Sequence, residues 1–221
     1  MSNEQKQLER SDTAAPGEPT RGILFVVSSP SGGGKGTLIQ RVLKQVPSLS
    51  YSVSYTTRPP RNGEVEGREY FFVTTERFEE MVAAGEFLEW ARVHGKLYGT
   101  SRDQVFRDVH EGRDIILEVD VQGADSVREL VKDSVSIFIL PPSVEILRKR
   151  LVARGTDSPE ELELRLRNAP EELKRYKAFD YVIINDEVER AAGQLSCIID
   201  AERAGRPHQE PEVKRVVESF S

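Results

Sequence analysis

The chain has 221 residues, a formal net charge of −6, 38% hydrophobic and 31% charged residues. That length suits one large domain or two small ones. No apolar run approaches the ~20 residues a membrane-spanning helix needs, and the acidic balance opposes whole-surface attraction to nucleic acid. A single cysteine, Cys197, forms no internal disulfide, and the opening residues lack the apolar stretch of a secretory signal, so a reducing cytoplasm is expected.

Residues 1–20 are rich in Gln, Glu, Ser, Pro and Thr and cannot repay the entropy of ordering, which predicts a disordered tail. The apolar run Ile23–Val27 then predicts a strand buried on both faces. After it, Leu38, Ile39, Val42, Leu43 and Val46 recur at three and four residues, predicting a helix from about Gly36 to Val46. Further strands are expected at Asp114–Val119, Val135–Leu140 and Tyr181–Ile184, alternating with helices and hence forming a parallel sheet. Ser101 with Gln104 and Ser158 with Glu161 match the capping-box spacing, and Pro159 fits a first helical turn. The segment 56–100 breaks this rhythm with Pro59-Pro60, Asn62-Gly63 and the aromatic run Tyr70–Val73, and predicts an inserted subdomain of mixed structure. Trp90 reads as core and Cys197 as helix packing. The end, from Ala204 on, reads as a polar tail with one weak helical stretch at Val213, Val216 and Val217.

Ser29, Pro30, Ser31, Gly32, Gly33, Gly34, Lys35, Gly36 and Thr37 lie between the first buried strand and the first helix, where a phosphate-binding loop belongs. Consecutive glycines let backbone N–H groups converge on an anion, the helix start adds partial positive charge, and Lys35 reaches the terminal phosphates. Ser29 stands at the first glycine of G-x-x-x-x-G-K-[ST], and Gly36 stands where a hydroxyl ligates magnesium. The variant G-K-G-T resembles the loop of adenylate kinases, with the Thr37 hydroxyl one residue later and magnesium keeping its waters.

Arg58 and Arg61 flank a Pro-Pro step whose three-residue turn points both guanidiniums to one side, either as a clamp for one anionic group or as a solvated loop. Glu89, in an expected strand, can accept the paired N–H donors of a guanine edge. Tyr70, Tyr98 and Thr100 add hydroxyls. Glu118 and Asp120, two apart at a strand end, share one face, to hold magnesium through water and bond a nucleotide or to pair with an arginine. Arg150 and Arg154 lie one helical turn apart, and Arg165 follows on the next helix. Such like charges either call for an anion, with the turn between the helices as a mobile lid, or are neutralised on an exposed helix pair by Glu160, Glu161 and Glu163.

With these residues in hand, the chain from about Gly22 to Ala204 resembles the guanylate kinases. The specific parts are the loop Ser29–Lys35, Ser54 through Arg61 with Gly63–Gly67 and Tyr70, Glu89-Trp90-Ala91, and Tyr98-Gly99-Thr100. Leu117–Gly123, Arg154–Ser158 and Val182–Asp186 complete the set. The resemblance implies an α/β phosphate-loop core (21–55, 101–147 and 178–205), an acceptor-binding insertion (56–100), a short helical lid (148–177) and a C-terminal tail (206–221). It implies transfer of phosphate from ATP, with magnesium, to GMP and dGMP. Arg58, Arg61, Tyr70 and Tyr98 would hold the GMP phosphate; Ser54, Glu89, Thr100 and Glu118, with Asp120 close by, would meet the guanine. Lys35, Arg58, Arg150, Arg154 and Arg165 would serve the transferred phosphoryl group, Asn185 would lie near adenine, and Thr37 and Asp120 would meet magnesium mostly through water. Glu118 stands where the family more often has Asp. Two other readings remain, a peptide-binding scaffold domain and a kinase for AMP. Lys35 and the lid arginines argue against the first, Glu89 against the second.

Overall fold

The computed structural model describes residues 21–93, 95–155 and 158–221, with backbone alone at Arg154. The expected tail 1–20, together with His94, Thr156 and Asp157, lies outside these residues. In chain order the elements begin with β1 (Leu24–Ser28), α1 (Lys35–Val42), β2 (Leu49–Tyr51), β3 (Tyr55–Thr56), β4 (Phe71–Phe72), α2 (Thr75–Ala83), β5 (Phe87–Val93) and β6 (Lys96–Ser101). They continue with α3 (Arg102–His110), β7 (Asp114–Glu118), α4 (Val121–Leu130), β8 (Val135–Leu140), α5 (Val144–Arg154), α6 (Pro159–Lys174), β9 (Tyr181–Ile184), α7 (Val188–Arg203) and α8 (Arg206–Glu218).

Five parallel strands run in the order β2-β7-β1-β8-β9. Every residue of β1 is buried because helices cover both faces of the sheet. Phe25 and Val27 pack with Leu38, Ile39 and Val42 of α1 and Leu195 and Ile199 of α7. Leu24 and Val26 point the other way, toward Val105 of α3 and Ala124 and Val127 of α4. The chain leaves β1 toward β2 on one side and crosses from β7 to β8 on the other. The C-terminal end of β1 is therefore a topological switch point, where open α/β sheets bind ligands.

The second sheet, β4-β3-β6-β5, is mixed: β3 and β4 run parallel, while β6 is antiparallel to both β3 and β5. Phe78 and Met81 of α2 pack beneath it on Phe87 and Leu97. Leu147, Leu151 and Ala169 join α5 to α6. Both serines cap their helices, but only one capping box closes: Ser158 and Glu161 complete theirs with Pro159 in the first turn, whereas Ser101 accepts the Gln104 N–H and the Gln104 side chain donates instead to the Tyr51 carbonyl.

The strands expected at Val135–Leu140 and Tyr181–Ile184 have those bounds. Helix α1 ends four residues short of Val46, which stays buried in the turns that follow. Two core assignments are corrected. Trp90 is 49% exposed, because Glu89 and Ala91 face inward on β5 and the two-residue period sends Trp90 outward. Cys197 is exposed on α7, whose buried face carries Leu195 and Ile199. The residues read as a polar C-terminal tail form α8, a helix none of whose residues is buried. Among the described residues, no helix is long and apolar enough to cross a membrane.

Candidate active site

The loop after β1 wraps the start of α1. Gly32 and Gly34 have φ of 85° and 88°, backbone that glycine adopts without strain. Both are also hemmed in: a Cβ on Gly32 would lie 2.8 Å from Leu151 Cδ2, and one on Gly34 2.4 Å from Asn185 Nδ2. No side chain caps α1, whereas Thr74, Ser101, Asp120, Ser143 and Ser158 cap α2 through α6. The first N–H groups of α1 thus stay open to an anion at the end of a helix dipole. Lys35 stands at their head, its Nζ on the Val119 carbonyl at 2.7 Å and 4.0 Å from Glu118 Oε1.

Two neighbours hold the loop from behind. Asn185, 1% exposed, donates from Nδ2 to the Gly33 carbonyl at 2.9 Å. Arg150 donates to the Gly33 carbonyl at 3.3 Å and to the Asn185 carbonyl at 2.8 Å. Here Asn185 is a buried tether of the loop, and Arg150 rests on backbone oxygens. From α6, Arg165 donates to Ser31 Oγ, and the Glu172 carboxylate accepts the Ser31 N–H at 3.3 Å. Arg154 lies on the same helix as Arg150, but its side chain is outside the described residues.

The second sheet places a buried carboxylate, Glu89, apart from the loop. A bulge between Phe87 and Glu89 shifts the β5–β6 register so that Glu89 lies opposite Thr100, whose hydroxyl donates to Glu89 Oε1 at 2.5 Å. Bulges re-aim side chains in this way. Burial pushes the Glu89 carboxyl up to about 7; the Thr100 hydrogen bond opposes this, Asp120 adds to it, and Lys35 draws it down. Gly123 of α4 makes the room, since a Cβ there would lie 2.7 Å from Glu89 Oε2.

Arg58 lies over the rings of Tyr70 and Phe72 at 5.3 and 5.8 Å, and Tyr70 meets Tyr98 edge-on at 5.9 Å between centroids. The two-arginine clamp expected here is closed. Both ends of the Arg58 fork donate to Glu64 at 2.9 Å, and the Arg61 N–H donates to Glu64 Oε2 at 2.7 Å. Burial would raise the Glu64 carboxyl, but these hydrogen bonds outweigh it and hold it below its ordinary value. Nothing in the spacing separated Glu64 from the other acids of Gly63–Gly67.

Glu118 ends β7 between the two regions. It accepts the Tyr51 hydroxyl at 3.3 Å, and a Cβ on Gly36 would lie 3.4 Å from its Oε2. Burial and the Glu118 charge raise both Tyr51 and Tyr70, so both phenols stay neutral donors. The expectation that Glu118 and Asp120 share a strand face is corrected, because the strand stops at Glu118 and Asp120 caps α4 by accepting the Gly123 N–H at 2.8 Å. Ser54 is buried; its backbone carbonyl accepts the Phe71 N–H. Tyr51 and Glu172 escaped the reading of the sequence because they lie outside any motif, and Glu64 and Gly123 because they lie inside motifs that assigned them no role.

A phosphate loop at the switch point of a parallel sheet, met by Arg150 of α5 and Arg165 of α6 and accompanied by a mixed sheet that carries the buried Glu89, defines a phosphate-loop nucleotide kinase. The family model described as guanylate kinase matches residues 21–202. A guanylate kinase of Symbiobacterium thermophilum is 50% identical over 189 residues, 86% of this chain and 89% of the relative. One of Dechloromonas aromatica is 51% identical over 180 residues, 81% of this chain and 89% of its own. The crystal structure of guanylate kinase from Anaplasma phagocytophilum matches with a TM-score of 0.73 at 36% identity, covering 86% of this chain and 90% of that one. The chain belongs to the guanylate kinase family.

Proposed function

We propose that this chain transfers the terminal phosphoryl group of ATP to GMP, and also to dGMP, giving ADP and the nucleoside diphosphate. The observation that carries the acceptor's identity is the buried Glu89–Thr100 pair, a carboxylate held at 2.5 Å by one hydroxyl and left to accept the two N–H donors of guanine N1 and N2. Adenine and uracil present no such pair of donors. A coupled assay with GMP, dGMP, AMP and UMP as separate acceptors tests this. Turnover with the guanine nucleotides alone is the expected result, and preference for AMP overturns the assignment.

The acceptor phosphate is ionised near neutral pH, so the reaction needs alignment and charge stabilisation rather than a general base. Arg58, Arg61, Tyr70 and Tyr98 receive the GMP phosphate, with Glu64 exchanging its place on the Arg58 fork for that phosphate. Ser54, Glu89, Thr100 and Glu118 surround the base. The open start of α1, from Ser29 to Thr37, cradles the ATP phosphates, Lys35 reaches their end, and Asn185 acts through the loop it tethers. Arg150, Arg154 and Arg165 stabilise charge on the group in flight.

The residues present suit magnesium held chiefly by water and substrate phosphates. Glu118 lies against Gly36, Thr37 follows it in the chain with an exposed hydroxyl-bearing side chain, and the Asp120 oxygen outside the capping bond carries only a long contact from Gln122 at 3.4 Å. Among the described residues no cluster of three ligating side chains forms a protein cage for the ion. When bound, magnesium neutralises charge on the phosphate oxygens. The catalytic unit in this reading is 21–205, with 56–100 as acceptor arm and 148–177 as lid, working in the cytoplasm.

A further inference from the structure

Helix α6 touches the phosphate loop with two side chains of opposite charge, and only the cation has a role in the reaction described above. Arg165 and Glu172 are seven residues apart, two helical turns, and so share one face. Both meet Ser31: Arg165 donates to its hydroxyl, and Glu172 Oε2 accepts its N–H at 3.3 Å. A carboxylate therefore occupies a backbone donor of a loop built to receive phosphate.

The contact is held weakly. Charge-assisted N–H···O⁻ bonds run near 2.7–2.9 Å, so 3.3 Å is long. Burial and the nearby Asp120 charge disfavour the ionised carboxylate and raise its pKa, while the Ser31 N–H, Lys35 and Arg165 pull the other way. The helix is also weak at this point. Pro170 lies inside α6, two residues before Glu172, and lacks the N–H that would bond the Leu166 carbonyl.

We propose that Glu172 is an internal anion that holds the Ser31 N–H of the empty phosphate loop and must be displaced when ATP binds. The incoming polyphosphate takes over that donor, and repulsion drives Glu172 outward at the Pro170 discontinuity. Arg165 remains to meet the new charge. Glu172 thereby lowers ATP affinity and couples loop occupancy to the shape of the lid. The inference rests on the reading of this loop as the ATP site.

Titration calorimetry of Mg-ATP and, separately, of GMP onto the full chain tests it. Glu172→Gln and Glu172→Ala are expected to bind Mg-ATP about three- to tenfold more tightly than wild type, Glu172→Asp about as wild type does, and all to bind GMP within about twofold of it. A side chain that merely braces the loop gives the reverse, so equal or weaker Mg-ATP binding by both uncharged variants overturns the proposal. The Ser31 amide resonance of the nucleotide-free protein is an independent readout. It is expected to move on Glu172→Gln, and an unmoved resonance also overturns the proposal. Failure of wild type to bind Mg-ATP overturns the reading of the loop itself, and this inference with it; binding without the gain overturns the inference alone.

Discussion

Glu89 is buried beside a hydroxyl and short of a full set of donors, and its carboxyl rises to about 7. Its sign in stability follows directly. Unfolded, the group loses its proton near its ordinary value of 4.5, while the folded chain keeps it to about 7. The folded state binds more protons in that window, so stability falls as pH rises across it, by an amount of order 3 kcal/mol. Glu89→Gln is expected to melt higher than wild type at pH 8 and to lose that advantage by about pH 4.5, while its KM for GMP rises at least about 100-fold. Identical pH dependence of melting in the two proteins refutes this account. Gly123 belongs to the same argument. A Cβ 2.7 Å from Glu89 Oε2 must push the carboxylate away, so Gly123→Ala is expected to raise the KM for GMP about tenfold and leave that for ATP within about twofold. Equal changes in both constants would assign Gly123 to general packing.

At the scale of elements, the phosphate loop is shaped by what lies behind it. The Gly33 carbonyl receives Asn185 Nδ2 and Arg150, both from segments far along the chain. Asn185→Ala leaves that buried carbonyl with one donor fewer, a loss of about 1–3 kcal/mol. It is expected to raise the KM for ATP while the KM for GMP holds, and steady-state kinetics with each substrate varied in turn checks the split. Helix α6 depends on its start. Ser158→Ala removes one arm of the capping box and is expected to cost about 1 kcal/mol, a fall in melting temperature of about 2–4 °C. An unchanged melting temperature would show that packing on Leu147 and Leu151 holds α6 without its cap.

Across the whole molecule, α7 closes the sheet with Leu195 and Ile199 in the core, whereas α8 has no buried residue. A chain ending at Gly205 is expected to keep its kcat and to melt within about 2 °C of the full chain, since little area leaves water when α8 forms. A large loss of either would place α8 inside the catalytic unit. The net charge of −6 likewise describes the outer surface. Lys35, Arg150 and Arg165 gather at one loop inside that acidic envelope, where local fields and not the average meet a polyphosphate.

Periodicity and local chemistry determined the parallel core, the phosphate loop and the helix starts. An apolar run before Gly-Gly-Gly-Lys, and Ser three residues ahead of Gln or Glu, act through neighbours in the chain. Residue types also named Glu89 and Arg58, because a carboxylate or a guanidinium carries its recognition chemistry wherever it lies. Only the tertiary structure decided how those groups are held. The bulge beside Glu89 turned that carboxylate inward and Trp90 outward, reversing the expectation for the tryptophan. Glu64 closed the arginine clamp, Asp120 became a helix cap, Cys197 turned to solvent, and Glu172 reached the loop from 141 residues away in sequence. The bulge and Glu172 depend on register or on contact between distant segments, which the spacing of one segment does not contain; Asp120 and Glu64 bond partners three and six residues away, and only the folded backbone selects those partners among the neighbouring acids.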